Sequence, residues 1–139
     1  MDHALGALAA ALNRGDAAAA LHAFAPGARV ADPIGSDPVS GADLDDYVRG
    51  LVDAHTRIEA GEVRSNADGT VACMPVRIER DDADHPGYRI RVTAALHADM
   101  DPAGRISMLR SIWGPDNIAP TDFESPRYAA SLARLREPA

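Results

Sequence analysis

The 139-residue sequence contains no lysine, so all 14 of its Lys+Arg cations are arginine. Without a lysine amine there is no Schiff-base catalysis, no anchor for pyridoxal phosphate and no phosphate-binding P-loop lysine. A single cysteine, Cys73, excludes an intramolecular disulfide and a cysteine zinc cluster, and nothing opposes a reducing compartment. No apolar run reaches the ~18 residues of a membrane span. The alanine-rich start, MDHALGALAAALNRGD, lacks the basic region of a signal peptide. The formal charge of -7 and a pI near 5.0 oppose general binding to phosphate backbones or anionic lipids. The expectation is therefore a cytoplasmic protein that binds neither nucleic acid nor membrane. His3, His22, His85 and His97 show no metal-binding spacing, and Ser36, Ser40 and Ser111 lack the Gly-x-Ser-x-Gly setting of a hydrolase nucleophile. No metal and no organic cofactor is expected.

What is present has a clear order. Leu5, Leu8 and Leu12 at helical spacing predict a helix over 3–14, ending near Gly15. Asp16 caps a second helix over 17–25 that buries Leu21 and Phe24 and stops at Pro26-Gly27. A short extended piece, 28–32, leads into a loop to Gly41. From Ala42, Leu44, Tyr47, Val48, Leu51 and Val52 trace a third helix, with Asp43, Asp45 and Asp46 where the dipole favours acids. Beyond it the pattern alternates at period two over 55–65, 70–80, 88–100 and 105–113, with hairpin-like connections. Ala72, Met74, Val76 and Ile78 share one face of the second of these strands, while Cys73, Arg77 and Glu79 take the other. Helices first and a meander afterwards predict an α+β fold: three N-terminal helices on a strongly curved, mostly antiparallel sheet enclosing a cone-shaped cavity. Residues 1–118 read as one domain and 119–139 as a proline-flanked, partly helical tail carrying Tyr128, Leu132 and Leu135.

Several pieces in this order resemble the nuclear transport factor 2-like superfamily and its ketosteroid isomerase-like enzymes. They are Asn13-Arg14-Gly15-Asp16, Asp32-Pro33-Ile34-Gly35 with Pro38 and Gly41, Met74 to Glu79, Gly104-Arg105-Ile106, and Trp113 with Asn117. The resemblance implies that Asp32 is the general base and Trp113 its support. The family's first-helix tyrosine lands on Leu8, and its second aspartate on Leu96. A second branch, the polyether-pathway epoxide hydrolases and cyclases, is similar through Ala54-His55-Thr56-Arg57-Ile58-Glu59-Ala60 and through the last strand to Trp113 and Gly114. In that branch a second acid works with the Asp-Pro aspartate, and Glu59 is the nearest match, with Glu62 the substitute if the register differs. A homodimer through the outer sheet face is implied by resemblance.

Each candidate also has an ordinary structural role. Asp32 before proline is a turn former on sequence grounds, and a proton-transfer group by resemblance. Glu59 is either a solvated ion-pair member or the second carboxylate of an acid-base pair. Tyr47 is a core aromatic or a replacement for the missing phenol. His55 is an exposed strand-end histidine or a shuttle near Glu59. The cavity lining expected from the alternation and the resemblance is Leu8, Met74, Val76, Val92, Ala94, Leu96, Leu109 and Ser111.

These residues suggest a cofactor-independent acid-base enzyme acting on a bulky apolar small molecule, with epoxide opening or ether-ring cyclisation in polyketide biosynthesis as the leading expectation. A double-bond isomerase working through a dienolate is the first alternative. A non-catalytic ligand-binding or dimerisation module is the second, because this fold does not fix function.

Overall fold

The computed structural model describes residues 3–120. The expected C-terminal helical tail lies outside the described residues, apart from the backbone at 119–120.

Helix α1 spans Ala4–Asn13, and His3 caps it by accepting a hydrogen bond from the Leu5 amide through Nδ1 at 3.0 Å. Leu5, Leu8 and Leu12 are buried as their spacing predicts. Asp16 accepts from the Ala19 amide at 3.0 Å and starts α2, Ala17–His22. This helix is shorter than the expected 17–25. Pro26 disfavours helical backbone at Ala25. Phe24 gains a strand partner in Ile106, so β1 runs Phe24–Ala31 and the Phe24 ring enters the core by way of the sheet. The loop to Gly41 contains a short strand that the sequence pattern did not predict, β2 (Val39–Ser40), before α3, Gly41–Asp53.

The remaining strands are β3 (Arg57–Ala60), β4 (Arg64–Ser65), β5 (Val71–Asp81), β6 (Arg89–Met100), β7 (Ile106–Ile112) and β8 (Ile118–Pro120). The expected strand over 55–65 is thus two short pieces. The main sheet order is β2-β1-β7-β6-β5-β3, with β4 beside β5 and β8 beside β6. Only β1 and β7 pair in parallel among the described residues.

Alternation sets the two faces. Val92, Ala94 and Leu96 of β6 and Leu109 of β7 are buried under the helices, as are Ala72, Met74 and Val76 of β5. The opposite face carries Arg91 paired to Glu79 at 2.6 Å and Arg110 paired to Asp99 at 3.2 Å. The α1 end is fastened to the sheet edge by one side chain. Asn13 donates to the Ile58 carbonyl at 2.9 Å and accepts from the Ile58 amide at 2.6 Å, closing both backbone groups of a β3 residue that faces the interior. Three helices over a bent, open sheet leave the space that forms the site.

Candidate active site

The Asp32 side chain is placed by the sheet. Strand β1 runs parallel to β7 with Ala31 opposite Arg110, and the chain then leaves the strand at Asp32-Pro33, whose peptide is cis. The Ile34 amide donates to the Ser111 carbonyl at 2.8 Å, and the Ser36 amide to the Pro33 carbonyl at 3.0 Å. These two bonds hold the turn against β7, so Asp32 projects beside the residues that follow the strand. Trp113 donates its Nε1–H to Asp32 Oδ1 at 2.7 Å.

The second oxygen is met from α3. Leu44, Tyr47, Val48 and Leu51 form one helical stripe; Leu44 and Val48 sink into the core, and this aims the Tyr47 ring at the site. Its hydroxyl donates to Asp32 Oδ2 at 2.5 Å. Burial first, and then the charge and the hydrogen bond of Asp32, push the Tyr47 phenol well above its ordinary value, with the Arg80 charge pulling the other way. The phenol therefore keeps its proton at neutral pH and stays a donor. A carboxylate has about four acceptor positions on its two oxygens, so both remain able to take a proton from a bound molecule.

This triad faces a cavity of about 400 Å³. Its walls are largely apolar, with Leu8, Leu12, Phe24, Val92, Leu96 and Leu109 among them. Ser111 and Thr56 also line it, and both hydroxyl oxygens are buried without a hydrogen-bond partner. Leaving a buried polar group unpaired costs about 1–3 kcal/mol. Arg80, Asp46 and Asp81 add charge to the lining. Asp81 is committed elsewhere: His55 at 2.7 Å, and then Arg89 at 2.8 Å, hold its carboxyl below the ordinary value. Among the described residues no group of three His, Cys, Asp or Glu side chains is placed to hold a metal ion.

The structure brings Asp32, Tyr47 and Trp113 together with Leu8, Val92, Leu96, Leu109 and Ser111. It separates Glu59 from them. On β3 the period-two alternation turns Ile58 inward, and Glu59 is exposed opposite Arg77, in a separate surface pocket shared with Asn13, Arg57 and Glu79. Glu62 is exposed as well, 3.4 Å from Arg64. His55 is bound to Asp81 and does not line the cavity. Met74, Val76 and Ala94 share the inward face of the sheet but are packed within the core and do not line the cavity, whose β5 wall is Ile78 and Arg80 further along the strand.

Thr56 and Arg80 were missed, although the signal was available. Arg80 is the next inward position of β5 after Val76 and Ile78, and Thr56 precedes inward Ile58 by two residues. Following the alternation past the last apolar residue reaches both.

Residues 5–107 match the model of the SnoaL-like domain. The chain belongs to the SnoaL-like family. This places it in the nuclear transport factor 2-like superfamily, as its motifs suggested. Among solved structures, SalBIII is similar at 26% identity with a TM-score of 0.79, covering 84% of this chain and 92% of that one. It is described as an epoxide hydrolase/cyclase-like enzyme in pyran ring formation in the polyether salinomycin. A computationally designed 17-OHP binder matches at 15% identity and TM-score 0.75, over 86% of this chain and 94% of the other. The Mycobacterium tuberculosis protein RV0760c, solved with estradiol-17beta-hemisuccinate, matches at 15% identity and TM-score 0.75, over 84% and 95%. At 15% identity these two likenesses concern the fold.

Proposed function

We propose that this SnoaL-like protein is a cofactor-independent acid-base enzyme that opens an epoxide on a bulky apolar small molecule, closing an ether ring in natural-product biosynthesis. The observation that carries this reading is the double hydrogen bond on Asp32. A carboxylate gripped on both oxygens by Tyr47 and Trp113 at the edge of an apolar cavity is fixed in orientation toward a bound molecule. The likeness to SalBIII, an epoxide hydrolase/cyclase-like enzyme, supports the reaction class.

In this reaction Asp32 takes the proton of the attacking hydroxyl as its oxygen bonds to an epoxide carbon. The C–O bond of the epoxide breaks, and the oxygen that leaves takes a proton from the Tyr47 hydroxyl, which recovers one from Asp32 across their hydrogen bond, so the net change is an isomerisation. General base assistance of this kind contributes about 10²- to 10⁴-fold, and the cavity adds its share by holding the chain in a folded, cyclisation-ready shape. With Glu59 outside the cavity, the proposal has no second carboxylate in that role. Tyr47, a neutral donor on Asp32, is the residue assigned to this proton transfer.

The dienolate isomerase fits less well. Leu8 and Leu96, at the positions of the family's oxyanion-binding pair, are apolar and line the cavity. The test is turnover of a hydroxy-epoxide and of a β,γ-unsaturated ketone by wild type and Asp32→Asn. Asp32-dependent conversion of the epoxide supports the proposal. Conversion of the ketone alone favours the isomerase, and no conversion of either despite tight apolar ligand binding favours a non-catalytic binding module.

A further inference from the structure

The Asp32 triad leaves unexplained the polar groups on the other wall of the same cavity. The antiparallel register of β3 on β5 begins with Arg57 opposite Glu79, and Thr56 and Arg80 are the residues next to that first pair. Both line the cavity. Thr56 is 3% exposed, and its hydroxyl oxygen has no hydrogen-bond partner. The neighbouring charges are paired with one another: Glu79 holds Arg91 at 2.6 Å, and Asp81 holds Arg89 at 2.8 Å and His55 at 2.7 Å. Arg80 forms neither a salt bridge nor a side-chain hydrogen bond within the described residues. A half-buried guanidinium is a set of donors with no acceptor of its own. In a cavity whose walls are largely apolar, lined also by the unpaired Thr56 hydroxyl and by Asp46 and Asp81, it fits an oxygen that only accepts.

The two polar regions lie on different strands of the cavity wall, near enough for the Arg80 charge to act on the Tyr47 phenol. Ser111 and Trp113 belong to β7 and its continuation, whereas Thr56 stands at the head of β3, with β6 and β5 between. Thr56 is three strand spacings from β7, about 14 Å along the sheet, and Arg80 two, about 10 Å, with less across the concave face. A molecule with oxygen at one end alone would satisfy one region and leave the other unpaired.

We propose that Arg80 and Thr56 form a second polar subsite that receives an acceptor oxygen, of a carboxylate or a carbonyl, on the same lipophilic ligand whose other end lies at Asp32. This names the substrate class as an apolar molecule oxygenated at both ends. That it is a substrate rests on the proposed function, but the subsite itself is a statement about binding and is tested by binding.

The probes are naphthylacetic acid, its methyl ester and ethylnaphthalene, whose intrinsic fluorescence reports occupancy. Wild type is expected to bind the acid, the ester or both at least tenfold more tightly than ethylnaphthalene. Arg80→Met and Thr56→Val each shrink that preference to threefold or less while keeping the wild-type affinity for ethylnaphthalene, which shows that the cavity is intact. A carboxylate-reading subsite binds the acid better than the ester, and loses that advantage with added salt and when the ligand is protonated. A carbonyl-reading subsite binds the two alike. Equal affinity of wild type for all three probes overturns the proposal, as does a preference that survives Arg80→Met and Thr56→Val. Asp32→Asn is run in parallel: loss of turnover with the oxygen preference intact upholds the subsite and the catalytic reading together. Unchanged turnover with that preference intact removes only the catalytic reading.

Discussion

Trp113 and Asp32 stand 81 positions apart in the chain and are joined by a 2.7 Å hydrogen bond from the indole N–H to the carboxylate. The contact exists because β1 and β7 lie side by side in parallel and the turn after β1 is tied to the Ser111 carbonyl. Two segments far apart in sequence thus build one hydrogen-bonded carboxylate site.

Trp113→Phe keeps the ring and removes the donor. A hydrogen bond to a charged group contributes about 1.5–3 kcal/mol, so kcat is expected to fall about tenfold to a hundredfold with KM changed far less. Steady-state kinetics on a hydroxy-epoxide measure the split. A loss confined to KM means that the indole binds substrate and does not support the base.

Tyr47→Phe tests the phenol through its ionisation. Because the folded-state value is raised above 10.0, the stability this group contributes is complete below its unfolded value and is lost as pH rises through the folded one. In the folded protein near pH 10, Tyr47 is expected to add nothing to the phenolate absorbance. Wild type and Tyr47→Phe should therefore show equal titration amplitudes there, and a smaller amplitude in the variant contradicts the assignment.

Asn13→Ala removes both bonds to the Ile58 backbone and leaves that amide and carbonyl in a partly buried position. A loss of about 1–3 kcal/mol is expected from the unpaired groups. Urea denaturation should show a lower midpoint at an unchanged slope. An unshifted midpoint shows that solvent replaces the side chain at no cost.

Glu59→Gln is expected to leave kcat/KM within about twofold of wild type, since substitutions of exposed side chains usually have small effects. Glu59 sits on the outward positions of β3, away from Asp32. A loss of a hundredfold would restore the two-carboxylate mechanism and require the strand to expose Glu59 to the cavity during turnover.

How much could be read beforehand follows from the range of the forces involved. Period-two alternation and helix caps are local, so the three helices, the long strands β5, β6 and β7, and their buried faces were legible. So was the place of Asp32 at the cavity, through the Asp-Pro-Ile-Gly motif. Glu59 shows the limit: its motif matched, but its direction depends on whether Ile58 or Glu59 is the inward residue of a four-residue strand, and Asn13 decides that by fixing Ile58 from another element. Phe24 moved from helix to strand because its partner, Ile106, is distant in sequence. Met74, Val76 and Ala94 were correctly placed on the inner face, but which inner residues border empty space depends on how the helices lie across the sheet.

The central claim is that Asp32 moves protons in an apolar cavity, and the ratio of kcat/KM for Asp32→Asn to that for wild type on a hydroxy-epoxide tests it most directly. Asparagine preserves the shape and cannot accept the proton. The expected result is a fall of about 10²- to 10⁴-fold, with unchanged affinity for an unreactive apolar ligand. Turnover by Asp32→Asn within a few-fold of wild type would contradict the claim.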